Sequence, residues 1–301
     1  PTWLRRQRQM CIRDSIQGLE HPFLGKLHSE DDDWFLANID PNWRYVFTCI
    51  PGTMAALSNM PTFGIASTDE NGRKAAIAFL AKARDAIAKL NAHCGKQVVT
   101  AIQIHTAPNQ SKAGASATAL KQSLTEIIQW DWQGTQIMIE HCDTLIEGQT
   151  PAKGFLSLQQ EIEVLTAVNA EQNSNLGITI NWGRSVIETR SADGALAHIQ
   201  QAKQAGLLAG MMFSGASGAE TAYGAWRDSH MPHAKDSTES KGAEGSLMTK
   251  EAMHQCMNTA DAKALPIVGI KLGIRPTDAT LAERLDIINA ALNILDDAPV
   301  S

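Results

Sequence analysis

The chain has 301 residues, a formal charge of −6 and five cysteines. An acidic balance leaves no electrostatic footprint for nucleic acid, and no apolar run reaches the roughly 18–20 residues of a membrane span. No C-x-x-C spacing occurs, so neither a zinc cluster of that kind nor a disulfide framework is indicated, and a cytoplasmic, reducing setting is expected.

The first segment in chain order is foreign to that balance. RRQRQMCIRDS, Arg5 to Ser15, carries four arginines without any apolar pattern. Written as codons, it matches a transposase sequencing adapter read through as protein. Residues 1–15 are therefore expected to be a non-native scar, and the first native strand is expected to be lost with the cut 5′ end. Without the four arginines and Asp14 of the scar the charge is −9. The remaining stretch, 16–301, suits one large domain.

Seven short apolar runs then predict strands: Ile16 to Phe23, Arg44 to Ile50, Val98 to His105, Gln136 to His141, Leu176 to Trp182, Leu207 to Ser214 and Ile267 to Ile274. Helical patterns separate them. Asp31 to Asp33 reads as an acidic helix start beneath Trp34, Leu36 and Ile39. Ile77, Leu80, Ala83, Ile87 and Leu90 line one helix face after Asn71; Leu281, Leu285, Ile288, Leu292 and Leu295 line another, with Asp278 as its expected N-cap. Alternating strand and helix predict βα units around a parallel sheet. No G-x-G-x-x-G follows any strand, which disfavours an open nucleotide-binding sheet. The expectation is a (β/α)8 TIM barrel lacking its first strand. Between the sixth and seventh runs a long loop, 219–246, carries Trp226, Asp228, His230 and His233; a loop of that length inside a domain reads as a lid.

Barrels place active sites at the C-terminal ends of their strands, and polar residues gather there. Glu20 and His21 end the first run, and His105 the third. Glu140, His141 and Asp143 follow the fourth, in IEHCD; Asn181, Trp182 and Arg184 follow the fifth, in NWGRS. Ser214 and Ser217 stand in the small-residue turn SGASG, which could bring backbone N–H groups close to an anion. Lys271 sits within the last run. Glu140 and Lys271 are opposite charges in apolar strands, where an unpaired charge is costly. His93 and His198 fall in helical segments and read as surface or packing residues.

The segments GLEHPF, IPGTM, FGIAS, IHTAP, IEHCD, KGFL, INWGRS, MMFSG, SLMT and GIKL together resemble an uncharacterised bacterial family, a domain of unknown function. That family is distantly similar to the xylose-isomerase-like barrels, which include sugar isomerases, sugar epimerases and endonuclease IV. The wider superfamily implies a divalent metal on Glu, Asp, His and Glu. At the matching positions this chain has Glu140, Asn181, Ser214 and Lys271, so the resemblance implies no metal at those positions.

The expected function is an isomerase, epimerase or lyase acting on a sugar or an anionic sugar derivative, without metal or other cofactor. Glu140 would be the base, His105 or His141 the partner acid, and Lys271 an electrostatic stabiliser or Schiff-base nucleophile. Glu20, Asn181, Trp182, Arg184, Ser214, Ser217, Asp228 and His230 would bind substrate, with Trp182 offering an apolar face to the ring. The competing expectation is a carbohydrate-binding or regulatory barrel without catalysis. No nucleic-acid or membrane partner is expected, and a homo-oligomer is compatible with the sequence.

Overall fold

The computed structural model describes residues 16–236 and 239–297, so the expected scar at 1–15 lies outside the described residues. The chain divides into two compact units, Pro1–Ile139 with Glu163–Leu176 and Glu140–Ile162 with Gly177–Ser301.

The first unit holds β1 (Gly18–Pro22), α1 (Asp32–Asn38), β2 (Arg44–Thr48), α2 (Ile50–Asn59), α3 (Glu70–Cys94), β3 (Val99–Ile104), α4 (Ala117–Ile127) and most of β4 (Gln136–Glu140). The later turns of α5 (Leu158–Gln172) are also counted with it. The strands pair in parallel and in chain order, with Pro22 opposite Thr48 and Thr48 opposite Gln103. Parallel strands covered on both faces need continuous apolar runs, and Ile102, Ile104, Ile137 and Ile139 are buried accordingly. The predicted face of α3 is the buried one, Ile77, Leu80, Ala83, Ile87 and Leu90 all lying inside. Burying each large aliphatic side chain of this face stabilises by about 1.5–3 kcal/mol. Asp69 caps its start through Gly72 N–H, and Gly95 ends it at φ 65°, in the left-handed region glycine tolerates. Asp31 caps α1 by accepting from Trp34 N–H.

The second unit holds β5 (Gly177–Asn181), α6 (Trp182–Thr189), α7 (Asp193–Gln204), β6 (Leu208–Phe213), α8 (Lys250–Ala260), β7 (Ile267–Ile270) and α9 (Leu281–Asp296). Its strands are again parallel, with Asn181 opposite Met212 and Phe213 opposite Ile270. Each of the expected runs in this unit is shortened, and three of the shifts have consequences. β5 stops at Asn181, whose side chain accepts from Arg184 N–H, so Trp182 opens a helix instead of ending a strand. The cap of α9 is Thr280, not Asp278. Its hydroxyl accepts from Glu283 N–H while the Glu283 carboxylate accepts from Thr280 N–H, a reciprocal box that a lone aspartate two residues earlier could not make. Lys271 stands one residue past β7, its N–H still donating to Phe213 C=O at 2.8 Å.

The long loop is packed. Gly215 and Met231 exchange backbone hydrogen bonds of 2.7 and 3.2 Å, Ala234 bridges to Ala243, and Tyr223, Met231 and Ala243 form a small apolar core of their own.

Candidate functional site

Glu140 ends β4 and is 1% exposed. Its Oε1 accepts from Lys271 Nζ at 2.7 Å and from Asn181 Nδ2 at 3.1 Å; its Oε2 pairs with Arg184 Nη1 at 2.7 Å. An ammonium, an amide and a guanidinium thus converge on one buried carboxylate. They come from two strand ends: Asn181 closes β5 and Arg184 lies in the first turn of α6 directly after it, while Lys271 follows β7.

Arg184 extends the network. Its Nε donates to Asp228 Oδ2 at 3.2 Å, Nη1 also reaches Cys142 Sγ at 3.3 Å, and Nη2 has no hydrogen-bond partner among the described residues. Asp228 comes from the long loop, and its almost wholly buried carboxylate also meets Lys153 Nζ at 3.1 Å. Burial alone would raise the Asp228 pKa, but Arg184 and Lys153 beside it hold it well below the usual carboxylate range. His230 Nε2 lies 3.5 Å from Asp228 Oδ1, with its pKa lowered chiefly by burial and further by Lys271 and Arg184, against the opposing pull of Asp228. Asp143, behind this network, accepts from Lys153 N–H with both oxygens, while burial pushes its pKa up. Lys153 is the member that the sequence reasoning missed; the KGFL segment was its only signal.

Two expected roles need correction. His141 does not partner Glu140. Consecutive residues of a strand face opposite ways, and the His141 ring lies between Glu161 Oε2 (2.8 Å from Nδ1) and Glu188 Oε2 (3.2 Å from Nε2). Burial works against its charge, but those two carboxylates outweigh it and push the pKa up to about 10. Trp182 is 1% exposed, so its ring packs inside the unit and offers no face to a sugar. SGASG is partly committed to packing. Gly215 N–H donates to Met231 C=O, Ala216 C=O accepts from Leu247 N–H, and Ser217 C=O accepts from Trp226 N–H. Its small residues allow backbone to approach backbone: a Cβ at Gly215 would lie 2.5 Å from Met231 O. Ser214 and Ser217 are buried within this packing.

Glu20 and His105 belong to the first unit. Glu20 is half-buried on β1; His105, 4% exposed, lines a mainly apolar pocket with Cys49, Thr53, Phe63 and Ile65.

A family profile described as Domain of unknown function (DUF4862) matches residues 7–287. The chain belongs to the DUF4862 family. An uncharacterised protein of Salmonella typhimurium is 35% identical over 293 residues, covering 97% of this chain and 89% of the relative. Among solved structures, a D-tagatose 3-epimerase-like protein matches with TM-score 0.57 at 13% identity, over 94% of this chain and 88% of the other. A candidate xylose isomerase from Rhodospirillum rubrum matches with TM-score 0.55 at 13% identity, over 95% and 99%. Endonuclease IV from Thermus thermophilus matches with TM-score 0.50 at 11% identity, over 97% and 94%. At these identities the likeness establishes the fold, the xylose-isomerase-like TIM barrel.

A divalent metal of the kind implied by that superfamily does not fit the strand-end positions of this chain. Of the four matching residues only Glu140 is anionic, and both its oxygens already accept from cations. A dication there would face an ammonium and a guanidinium at close range.

Proposed function

We propose that the second unit carries the active site of a sugar-converting enzyme that works by proton abstraction beside a carbonyl, in isomerisation, epimerisation or elimination. The observation that carries this reading is the Nη2 group of Arg184, buried beside Glu140 without an acceptor among the described residues. A buried guanidinium N–H is costly to leave unmade, and an oxygen of a bound ligand would satisfy it.

In this reading the resting network is a latch. Three donors on Glu140 keep it from acting as a base, so one must leave first. A substrate carbonyl oxygen draws Lys271 away from Glu140 Oε1 and takes a hydrogen bond from Arg184 Nη2. Glu140 then accepts the proton from the adjacent carbon, the C–H electron pair moves into the C–C bond, and the carbonyl π pair moves onto oxygen. Lys271 and Arg184 stabilise the resulting enolate oxygen. Return of the proton to the former carbonyl carbon, as the proton of the adjacent hydroxyl passes to the enolate oxygen, gives isomerisation; epimerisation instead needs a proton delivered to the opposite face by a donor other than Glu140. No metal takes part, because the positions that would hold it carry Asn181 and Lys271. Asp228 ties the long loop to Arg184, which makes that loop the closing element.

The second reading, a carbohydrate-binding barrel without catalysis, draws on the same network: a carboxylate so fully paired suits recognition as well as it suits a latched base. Incubation in D2O separates the two. The protein is screened against sugars, sugar phosphates and sugar acids by thermal shift, and each hit is followed by proton NMR. Loss of one C–H signal in the presence of wild-type protein, absent with Glu140→Gln, supports catalysis. A hit that binds without exchange over days leaves the binding reading standing and removes the enzymatic one.

A further inference from the structure

The opposite side of the same strand end carries a second cluster. His141 follows β4, Glu188 lies near the end of α6, and His198 lies in α7; one donor atom of each falls within 4.8 Å of the others. Both imidazoles point Nε2 at the same carboxylate, His141 at 3.2 Å from Oε2 and His198 at 3.6 Å from Oε1. Both also have Nδ1 occupied from behind. Glu161 Oε2 stands 2.8 Å from His141 Nδ1, and Ser185 Oγ stands 3.0 Å from His198 Nδ1. An acceptor behind Nδ1 fixes the tautomer that presents the Nε2 lone pair forward, which is how metal-binding histidines are held.

From this geometry we infer that His141, Glu188 and His198 form a divalent-cation site of zinc type, with Glu161 and Ser185 orienting the two imidazoles. Three arguments bear on it. Two nitrogens and a carboxylate suit zinc, which binds each at roughly 2.0–2.2 Å in a tetrahedron. Neighbouring ligand atoms of such a tetrahedron stand about 3.3 Å apart; the two Nε2 atoms approach different oxygens of Glu188, at 3.2 and 3.6 Å, so a small turn of the carboxylate would present one oxygen to an ion held by both rings. The charges also match: Glu161 and Glu188 together carry two negative charges that a dication cancels while both imidazoles stay neutral.

The site would be a brace. Glu188 is 10% and His198 11% exposed, so a water can complete the coordination from outside. Ser185 and Glu188 stand three apart on α6 and share a face. The same helix bears Arg184, so a cation here would fix α6 against α7 and the residues after β4, and would steady Arg184 without touching the ligand. This departs from the expectation of a chain without metal, which rests on the strand-end positions alone.

The test uses the full chain stripped with a chelator and then titrated with Zn2+ and, separately, Co2+. The expected result is one equivalent of zinc by elemental analysis, a rise in Tm on zinc addition, and the visible d–d bands of a tetrahedral cobalt site. His198→Gln and Glu188→Gln should lose all three while circular dichroism stays native. Should either variant fail to fold, Ser185→Ala decides, since it leaves all three ligands in place: zinc affinity should fall about 10–100-fold. Arg184→Lys, on the other face, should keep the full equivalent. Wild-type protein that binds no stoichiometric zinc, or a Ser185→Ala protein with unchanged affinity, overturns the site and leaves an imidazolium held between two carboxylates.

Discussion

Glu140 and His141 are consecutive residues, yet they look into opposite chemical worlds. Glu140 meets an ammonium, a guanidinium and an amide; His141 meets two carboxylates and a second histidine. One face of the strand end collects cations around an anion, and the other collects anions around an imidazole. The same contrast appears in the histidines themselves. His141, between carboxylates, has its pKa pushed up, whereas His230, half-buried near Lys271 and Arg184, has its pKa lowered. The alternation of a strand allows this: two residues one step apart can serve a ligand on one side and a helix brace on the other without competing for space.

The largest expected effect comes from breaking the cation side. Arg184 and Glu140 are both fully buried, so Arg184→Met leaves Glu140 Oε2 and Asp228 without their guanidinium. Chemical denaturation should show a loss of about 3–5 kcal/mol, and Glu140→Gln added to it should recover part. A cost below about 1 kcal/mol would mean that the network holds no structural charge. Lys271→Met should cost less, about 1.5–3 kcal/mol for one hydrogen bond to a charged group, because Arg184 and Asn181 still hold Glu140. In the proposed mechanism Lys271→Met also removes the enolate's ammonium, so turnover should fall far more than stability does. Normal turnover in that variant would sink the role given to Lys271.

A middle-sized effect is expected where the two faces share backbone. Gly183, in the first turn of α6, has the Ser214 carbonyl so close that an added Cβ would lie 2.2 Å from it. Gly183→Ala must push α6 from β6 and should cost about 1–3 kcal/mol. Because α6 carries Arg184 at one end and Glu188 at the other, thermal stability and zinc affinity should fall together. A change in only one would show that the two faces are mechanically independent.

Much of this was legible in the residues. All seven strand runs and the α3 face came from periodicity, since burial on a parallel sheet or one side of a helix dictates the pattern directly. The face read for α9 was misplaced: Ala290, Ala291 and Ile294 are its buried residues, and Leu281 is 73% exposed. Glu140 and Lys271 stood out because charges in apolar runs demand partners. Their pairing, across 131 positions of sequence, could not be read, because register between distant strands is a tertiary property. The roles given to His141 and Trp182 failed for a local reason. The end of β5 at Asn181 and the alternation at Glu140 set which way each side chain points, and a boundary error of one residue reverses it. His198 read as a packing residue because its partners, Glu188 and Ser185, lie on a different helix. SGASG is ambiguous in sequence because small residues serve equally for an anion and for a crossing backbone.

The smallest expected effect is a pH dependence on the cation side. His230 faces Asp228, Lys271, Arg184 and Glu140, and its pKa lies below the usual 6.5. In the unfolded chain it takes up its proton near 6.5, while in the folded chain it resists until lower pH. Stability is therefore complete above 6.5 and declines as pH falls below it, since the unfolded state then binds more protons. The ring is 40% exposed, so solvent screens much of the effect. His230→Gln should flatten the stability profile just below 6.5 without changing it at pH 8, and NMR titration of the His230 ring should give a midpoint below 6.5. The carboxylate side supplies the control, because His141 gains charge from its surroundings and should stay protonated through the same window in metal-free protein. If His230 titrates at or above 6.5, Asp228 dominates its surroundings, and the cationic character assigned to the Glu140 face is too strong.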